Sequence, residues 1–172
     1  MDANQITKVC LNDPFIQPYF FGTISRDEFP KNPPPIGLFI MNLDVRSKPG
    51  SHWVQFNLGL EYPGRCMYVD TFGRRPPKEI VEILLSRGWE IIYNDVVIQN
   101  VLSQSCGKIA LLFLKLWSHG YSTLEIVTKY MFDDETSRQP FKGEALAESF
   151  ISEISTIKRG PIIDFDNFSS EK

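Results

Sequence analysis

Apolar and polar positions along the first half of the chain predict a small sheet. Three short apolar segments, 36–43, 52–58 and 66–69, are separated by the turn-forming sequences SKPG and EYPG. Segment 36–43 is almost continuously apolar, as expected of a buried central strand, whereas segment 52–58 alternates between polar and apolar residues. Because the segments follow one another closely with turns between them, we expect an antiparallel meander.

Helices are predicted mainly after this sheet. The strongest helical pattern runs from Cys106 to Trp117 and is apolar on almost every side, which is typical of a central buried helix. The chain has its predicted strands first and most of its predicted helices after them, an order that favours an α+β fold. We expect a mixed, mainly antiparallel sheet packed against that helix and surrounding helices. Other helices are expected at 3–11, 78–87, 122–131 and 144–154, and two further strands at 89–93 and 96–98.

Length and composition are those of one ordinary globular domain, which we expect to span residues 1–172, with 133–172 as a helical extension and tail. Apolar residues make up 42% of the chain and charged residues 23%. The net charge of −3 argues against nucleic acid as the main partner, because phosphate binding requires an excess of Lys and Arg. The beginning of the chain does not resemble a secretory signal, and the apolar run at 109–116 is too short to cross a bilayer, so an intracellular setting is expected.

Cys106 is the candidate for a reactive thiol. It begins the apolar helix, where free backbone N–H groups and the helix dipole stabilise a thiolate and lower the thiol pKa. Gly107 follows it and allows a substrate to approach the backbone closely. Cys10 and Cys66 lie in a predicted helix and a predicted strand, where buried structural thiols are expected. Three cysteines without a CxxC spacing predict neither a disulfide framework nor a metal site, and we expect no cofactor.

Only two histidines could serve as a base for this thiol. His119 would lie on the same helix about 20 Å from Cys106, given a rise of about 1.5 Å per residue. It is therefore out of reach, and we expect it to cap the carboxyl end of the helix. His52 begins a strand, which is a rigid place for a base, and it is the predicted partner of the thiol.

The residue that orients the imidazole is predicted to be Asp70. It follows the apolar segment 66–69, and in a meander the end of that strand lies beside the start of the strand that His52 begins. Spacing alone leaves Asp44 and Asp95 as rivals.

Gln99 is the candidate oxyanion donor, together with the backbone N–H of Cys106. It directly follows the predicted strand at 96–98, and a loop then leads to the helix. Gln104 is nearer in sequence, but a residue two positions before a nucleophile usually points away from it.

The order and flanking residues of this set resemble the adenain-like (adenovirus-type) cysteine proteases, as in virophages and virus-like DNA transposons. That family is related to the ubiquitin-like-protein-specific proteases. Its pattern is His-Trp, an acid that ends the next strand, then Gln, then Cys-Gly before a hydrophobic helix. Segments 69–73 (VDTFG), 103–107 (SQSCG) and 18–30 are similar to family segments, and the likeness covers about residues 3–132. The matching residues are His52, Trp53, Asp70, Gln99, Cys106 and Gly107.

The resemblance implies a cysteine endopeptidase that cleaves viral precursor proteins, such as capsid proteins, at Gly-containing motifs during virion maturation. It places the enzyme in the virion and the host-cell interior, with no membrane partner. It assigns substrate binding to Trp53 and Gly107, with Trp53 walling a narrow channel that admits glycine. Adenovirus enzymes carry glutamate at the position of Asp70, are basic, and are activated by DNA and a peptide. The mild acidity of this chain does not support such an activating partner.

Two other functions would use the same residues. One is a ubiquitin-like-modifier-specific isopeptidase, which would need a broad docking surface for a folded modifier. The other is a cysteine acyltransferase that forms an acyl-enzyme. Trp53 counts against the acyltransferase, because the channel-walling tryptophan is not expected there.

Overall fold

The computed structural model describes residues 1–100 and 102–131 and the single residue Ala147. The elements of these residues, in chain order, are α1 (Ala3–Asn12), β1 (Phe20–Ser25), β2 (Gly37–Asn42), β3 (Trp53–Leu58), β4 (Arg65–Val69), α2 (Lys78–Ser86), β5 (Glu90–Tyr93), α3 (Cys106–Ser118) and α4 (Thr123–Glu125). A 3₁₀ turn, Arg26–Glu28, follows β1, and a π-helical segment, Ile126–Met131, follows α4. None of the helices in these ranges is long and apolar enough to span a membrane.

The described strands form one five-stranded sheet in the order β1-β2-β3-β4-β5. Strands β2, β3 and β4 pair antiparallel, as the spacing of their apolar segments predicted. The two edges are parallel: β1 pairs with β2, and β5 pairs with β4. A parallel pair needs a crossover, and α2 supplies it between β4 and β5. The predicted α+β fold with a mixed sheet is confirmed.

Helices cover both faces of the sheet. On one face, Leu38, Ile40 and Val69 pack with the apolar side chains of α3. The opposite face packs against α2, in a second buried cluster that includes Ile80 and Leu84. Because successive side chains of a strand point to opposite faces, β2 is buried on both sides, which explains its continuous apolar run. Full burial of each large apolar side chain contributes about 1.5–3 kcal/mol, so α3 is firmly held against the strands that carry the site.

Some predicted elements differ from the structure. The strand predicted at 96–98 is wrong, because these residues form an irregular loop after β5 in which Val96 and Val97 are 40% and 46% exposed. Strand β1 was not predicted, since its short sequence contains Gly22 and is only half-buried. The helix predicted at 122–131 is the short α4 followed by the π-helical segment. The predictions for residues 133–172 lie outside the described residues, apart from Ala147, which is buried in the cluster around α3.

Candidate active site

A cleft of about 670 Å³ lies where the amino end of α3 meets the start of β3. His52 immediately precedes β3, and Cys106 is the first residue of α3. Both line the cleft, together with Trp53, Phe72 and Gln99. The fold therefore brings a strand start and a helix start together, although they lie far apart in the sequence, at positions 52 and 106.

His52 and Asp70 form a buried hydrogen-bonded pair. His52 Nε2 donates to Asp70 Oδ1 at 2.7 Å, and the two side chains are only 5% and 0% exposed. The backbone N–H of Phe72 donates to the same oxygen at 2.8 Å, which holds the carboxylate in its turn. Because Nε2 is occupied by Asp70, Nδ1 of the imidazole is the nitrogen left for the thiol.

An aromatic ring covers one face of the imidazole. The ring of Phe72 stacks on His52 with centroids 4.7 Å apart and an interplanar angle of 27°. The guanidinium of Arg74 lies over Phe72, 5.2 Å from the ring centroid. The stack limits rotation of the His52 ring, so the imidazole is held by both an edge contact and a face contact.

The pKa values of the thiol and the imidazole move in opposite directions. Burial disfavours the thiolate of Cys106, but hydrogen bonds from His52 and from the backbone N–H groups of Trp53 and Gly107 outweigh it and lower the Cys106 pKa. Burial likewise disfavours the imidazolium, but hydrogen bonds to Asp70 and Cys106 raise the pKa of His52 to about 9. Both shifts favour the charged forms of the pair, a thiolate on Cys106 and an imidazolium on His52.

Gln99 lines the cleft with its amide held at both ends. Its Oε1 accepts from Thr71 Oγ1 at 2.6 Å, and its Nε2 donates to the backbone carbonyl of Ser103 at 2.8 Å. A side-chain amide carries two N–H donors, so the second N–H of Gln99 remains for another acceptor. An oxyanion donor needs such an available N–H on a side chain that is held in place.

Trp53 packs directly against the backbone at Gly107. A Cβ built on Gly107 would lie 3.2 Å from Cδ1 of Trp53, which is tighter than ordinary van der Waals contact. The indole Nε1 of Trp53 donates to the carbonyl of Met1 at 3.1 Å, so the ring is fixed in the cleft wall. The geometry explains why a residue without a side chain follows Cys106.

The remaining site candidates from the sequence do not make the catalytic contacts that were considered for them. Asp95 is exposed, and Asp44 lines the cleft, but the carboxylate bonded to His52 is Asp70. Gln104 is an exposed residue of the cleft wall. His119 follows the last residue of α3, and its ring contacts Phe15 in a tilted arrangement with centroids 4.2 Å apart.

The remaining two cysteines occupy buried positions. Burial raises the pKa of Cys66 to about 12. It also raises the pKa of Cys10, with a further contribution from the negative charge of Asp13. Neither thiol is prepared for reaction at neutral pH.

Three residues of the site were not singled out from the sequence: Thr71, Phe72 and Asn94. Asn94 clamps the turn at Asp70, because its Oδ1 accepts from the Asp70 N–H and its Nδ2 donates to the Asp70 carbonyl, at 2.9 Å and 2.7 Å. The sequence could have pointed to Thr71 and Phe72, because they directly follow the candidate acid Asp70 and so must lie close to the same site. No sequence signal pointed to Asn94, whose contacts depend on the parallel pairing of β5 with β4.

Comparisons with known proteins identify a shared fold. The crystal structure of the ASFV pS273R protease matches with a TM-score of 0.58 and 13% sequence identity, over 83% of this chain and 63% of that chain. The chain therefore spans less than two thirds of the length of that protease. A Se-Met structure of the same protease matches with a TM-score of 0.38 and 17% identity, over 66% of this chain and 44% of that one. No protein-family model matches the sequence, and no curated protein matches it.

Proposed function

We propose that the chain is a cysteine endopeptidase in which Cys106 is the nucleophile, His52 the base and Asp70 the residue that orients His52. The observation that carries the proposal is the position of one imidazole between a buried carboxylate and a partly exposed thiol. Its Nε2 bonds to Asp70 at 2.7 Å, and its interaction with the thiol lowers the Cys106 pKa. A structural cysteine needs neither partner, and Cys66 has neither.

In the first step, the Cys106 thiolate attacks the carbonyl carbon of a peptide bond and a C–S bond forms. Negative charge develops on the carbonyl oxygen, which receives hydrogen bonds from the backbone N–H of Cys106 and from the second Nε2–H of Gln99. The C–N bond then breaks as the His52 imidazolium transfers its proton to the leaving amine. A thioester on Cys106 and the amine product result.

In the second step, water attacks the thioester, with neutral His52 accepting a proton from it. The C–S bond breaks, the carboxylic acid product leaves, and the thiolate–imidazolium pair is restored. Asp70 accepts the hydrogen bond from His52 Nε2 and stabilises the imidazolium. Every proton is accounted for by His52 and water, so no cofactor is required.

For the substrate, we propose viral precursor polypeptides, such as capsid proteins, cut at Gly-containing motifs in the virion and the host-cell interior. The close contact of Trp53 with the backbone at Gly107, where a Cβ on residue 107 would lie 3.2 Å from Trp53 Cδ1, supports a narrow substrate path beside the nucleophile. The fold match to a protein named as a protease supports peptide cleavage by fold analogy. The net charge of −3 supports activity without DNA.

The test is incubation of the full chain with the virion precursor proteins encoded beside it, followed by N-terminal sequencing of the fragments. We expect discrete cleavage next to glycine, lowered at least about 10⁴-fold in the Cys106→Ala variant because the nucleophile is absent. Cys66→Ala is the matched control, since it removes a buried thiol outside the cleft, and it should cleave at the wild-type rate. Undiminished cleavage by Cys106→Ala would rule the mechanism out.

Two further probes separate the alternatives. A ubiquitin-like modifier with an electrophilic C-terminus that labels Cys106, without any precursor cleavage, would favour an isopeptidase. Acetyl transfer from acetyl-coenzyme A to Cys106, seen as a mass increase on that residue alone, would favour an acyltransferase. We expect neither reaction.

A further inference from the structure

The turn after β4 and the loop after β5 form one unit behind the cleft. Besides the clamp of Asn94 on Asp70, the backbone N–H of Ile98 donates to the carbonyl of Thr71 at 2.9 Å. Gly73 closes the turn with φ of +66°, and a Cβ there would lie 3.0 Å from the carbonyl atoms of Asp95. The close approach of turn and loop therefore requires glycine at this position.

Within this unit, the side chain of Thr71 reaches Gln99. Both residues are buried, at 0% and 1% exposure, and the hydroxyl of Thr71 donates to Gln99 Oε1 at 2.6 Å. The opposite end of the same amide donates to the Ser103 carbonyl. If the amide were flipped, its oxygen would face the Ser103 carbonyl and its NH₂ would face the Thr71 hydroxyl, so the acceptor–acceptor contact would be repulsive.

The orientation of this amide determines what the cleft offers a reacting carbonyl. A glutamine can stabilise negative charge only with its N–H groups, since its oxygen would repel the developing oxyanion. A hydroxyl that donates to Oε1 also polarises the amide and strengthens its N–H donors. The adjacent residue, Asp70, orients His52, so two consecutive positions of one turn reach the two halves of the site.

We propose that Thr71 is a positioning residue that, together with the Ser103 carbonyl, holds the amide of Gln99 with its free N–H toward the cleft. The proposal rests on the proposed peptidase function for its effect on rate. It gives the turn after β4 a double role: Asp70 positions the base, and Thr71 positions the oxyanion donor.

The test compares Thr71→Val, which keeps the shape and removes the hydroxyl, with Thr71→Ser, which keeps the hydroxyl. Removal of an oxyanion donor costs about 10²–10³ in kcat, so loss of its positioning should lower kcat about 10- to 100-fold, with KM changed less than about twofold. Thr71→Ser should restore kcat to within about threefold of wild type. In a Gln99→Ala background, Thr71→Val should lower kcat by less than about threefold, because the two residues act as one unit.

Two readouts separate positioning from general damage. The pH dependence of Cys106 alkylation by iodoacetamide should not change in Thr71→Val, because sulfur and imidazole are untouched. A full effect of Thr71→Val in the Gln99→Ala background, wild-type kcat in Thr71→Val, or a shifted alkylation profile would each overturn the proposal. If Thr71→Val does not fold, Thr71→Ala replaces it with the same expectations.

A measurement independent of cleavage keeps the two proposals apart. The side-chain NH₂ protons of Gln99, assigned by NMR with the Gln99→Ala variant, should exchange with solvent at least about tenfold faster in Thr71→Val than in wild type or Thr71→Ser. Equal exchange rates would refute the role of Thr71. A wild-type protein that cleaves no precursor would instead refute the peptidase function, whatever the exchange rates are.

Discussion

The pair Asp70–His52 at the cleft and the pair Asp13–Lys115 in the core have nearly the same geometry in different surroundings. Their N–O distances are 2.7 Å and 2.6 Å, and all four side chains are at most 5% exposed. Asp13 follows α1 and Lys115 lies in α3, so the core pair joins two helices. The cleft pair instead joins a strand start to a turn.

The difference lies in what else touches each cation. The ring of Phe15 covers the Lys115 ammonium, 4.5 Å away, and Asp13 Oδ1 accepts from two backbone N–H groups, so the core pair is enclosed by fixed partners. His52 has a second neighbour, the Cys106 thiol, and a side on the open cleft. The same contact therefore joins two helices in the core, whereas at the cleft it raises the pKa of an imidazole that also touches a thiol.

The largest expected effect comes from Asp70→Asn, which removes the charge at the cleft. Without the carboxylate, the imidazolium loses its stabilising partner, and kcat for peptide cleavage should fall by about 10⁴-fold, which equals about 5.4 kcal/mol. Steady-state kinetics on a Gly-containing peptide would measure it. The exposed Asp95→Asn variant is the matched control and should stay within about twofold of wild type. A loss of less than about tenfold in Asp70→Asn would remove the distinction between the two pairs.

The next largest effect is expected in the core. Lys115→Met leaves Asp13 buried without its cation, which should lower the free energy of unfolding by about 3–5 kcal/mol. Urea titration measures the loss, and the alkylation rate of Cys106 should not change. Arg65→Met is the control, because the exposed Arg65–Glu90 pair has the same 2.6 Å distance and should cost less than about 1 kcal/mol. Equal losses in both variants would contradict the comparison.

The smallest effect is the pH dependence of the cleft pair. As pH rises, kcat/KM should first increase about tenfold per pH unit while the Cys106 thiol, whose pKa lies below its ordinary 9.0, loses its proton. It should then fall above pH 9, where the raised pKa of His52 is crossed and the imidazolium is lost.

An NMR titration of the two histidines checks the assignment. The His52 ring should titrate near pH 9 in wild type and at lower pH in Asp70→Asn, because the hydrogen bond and charge that raise its pKa are gone. The His119 signal is the internal control and should be the same in both proteins. A His52 titration near its ordinary value of 6.5 in wild type would refute the thiolate–imidazolium pair.

Local patterns were sufficient for the central elements of the fold and insufficient at its edges. Strands β2 to β4 and helix α3 have strong apolar periodicity, and the structure has them close to the predicted bounds. The two valines before Ile98 have high strand propensity, yet they lie in the loop that follows β5, which ends at Tyr93. Propensity describes what a segment can do, whereas pairing depends on a neighbour that is distant in sequence.

The sequence by itself determined which chemical groups the site could contain: a thiol at the start of an apolar helix, one histidine within reach, and an acid after the neighbouring strand. Only the tertiary structure decided which oxygen bonds to His52, that Thr71 holds the amide of Gln99, and that Asn94 clamps the turn. The physical reason is that residue type and periodicity are local properties, whereas hydrogen-bond partners depend on how β5 and the loop after it dock against β4. That docking is set by long-range packing, which no local pattern records.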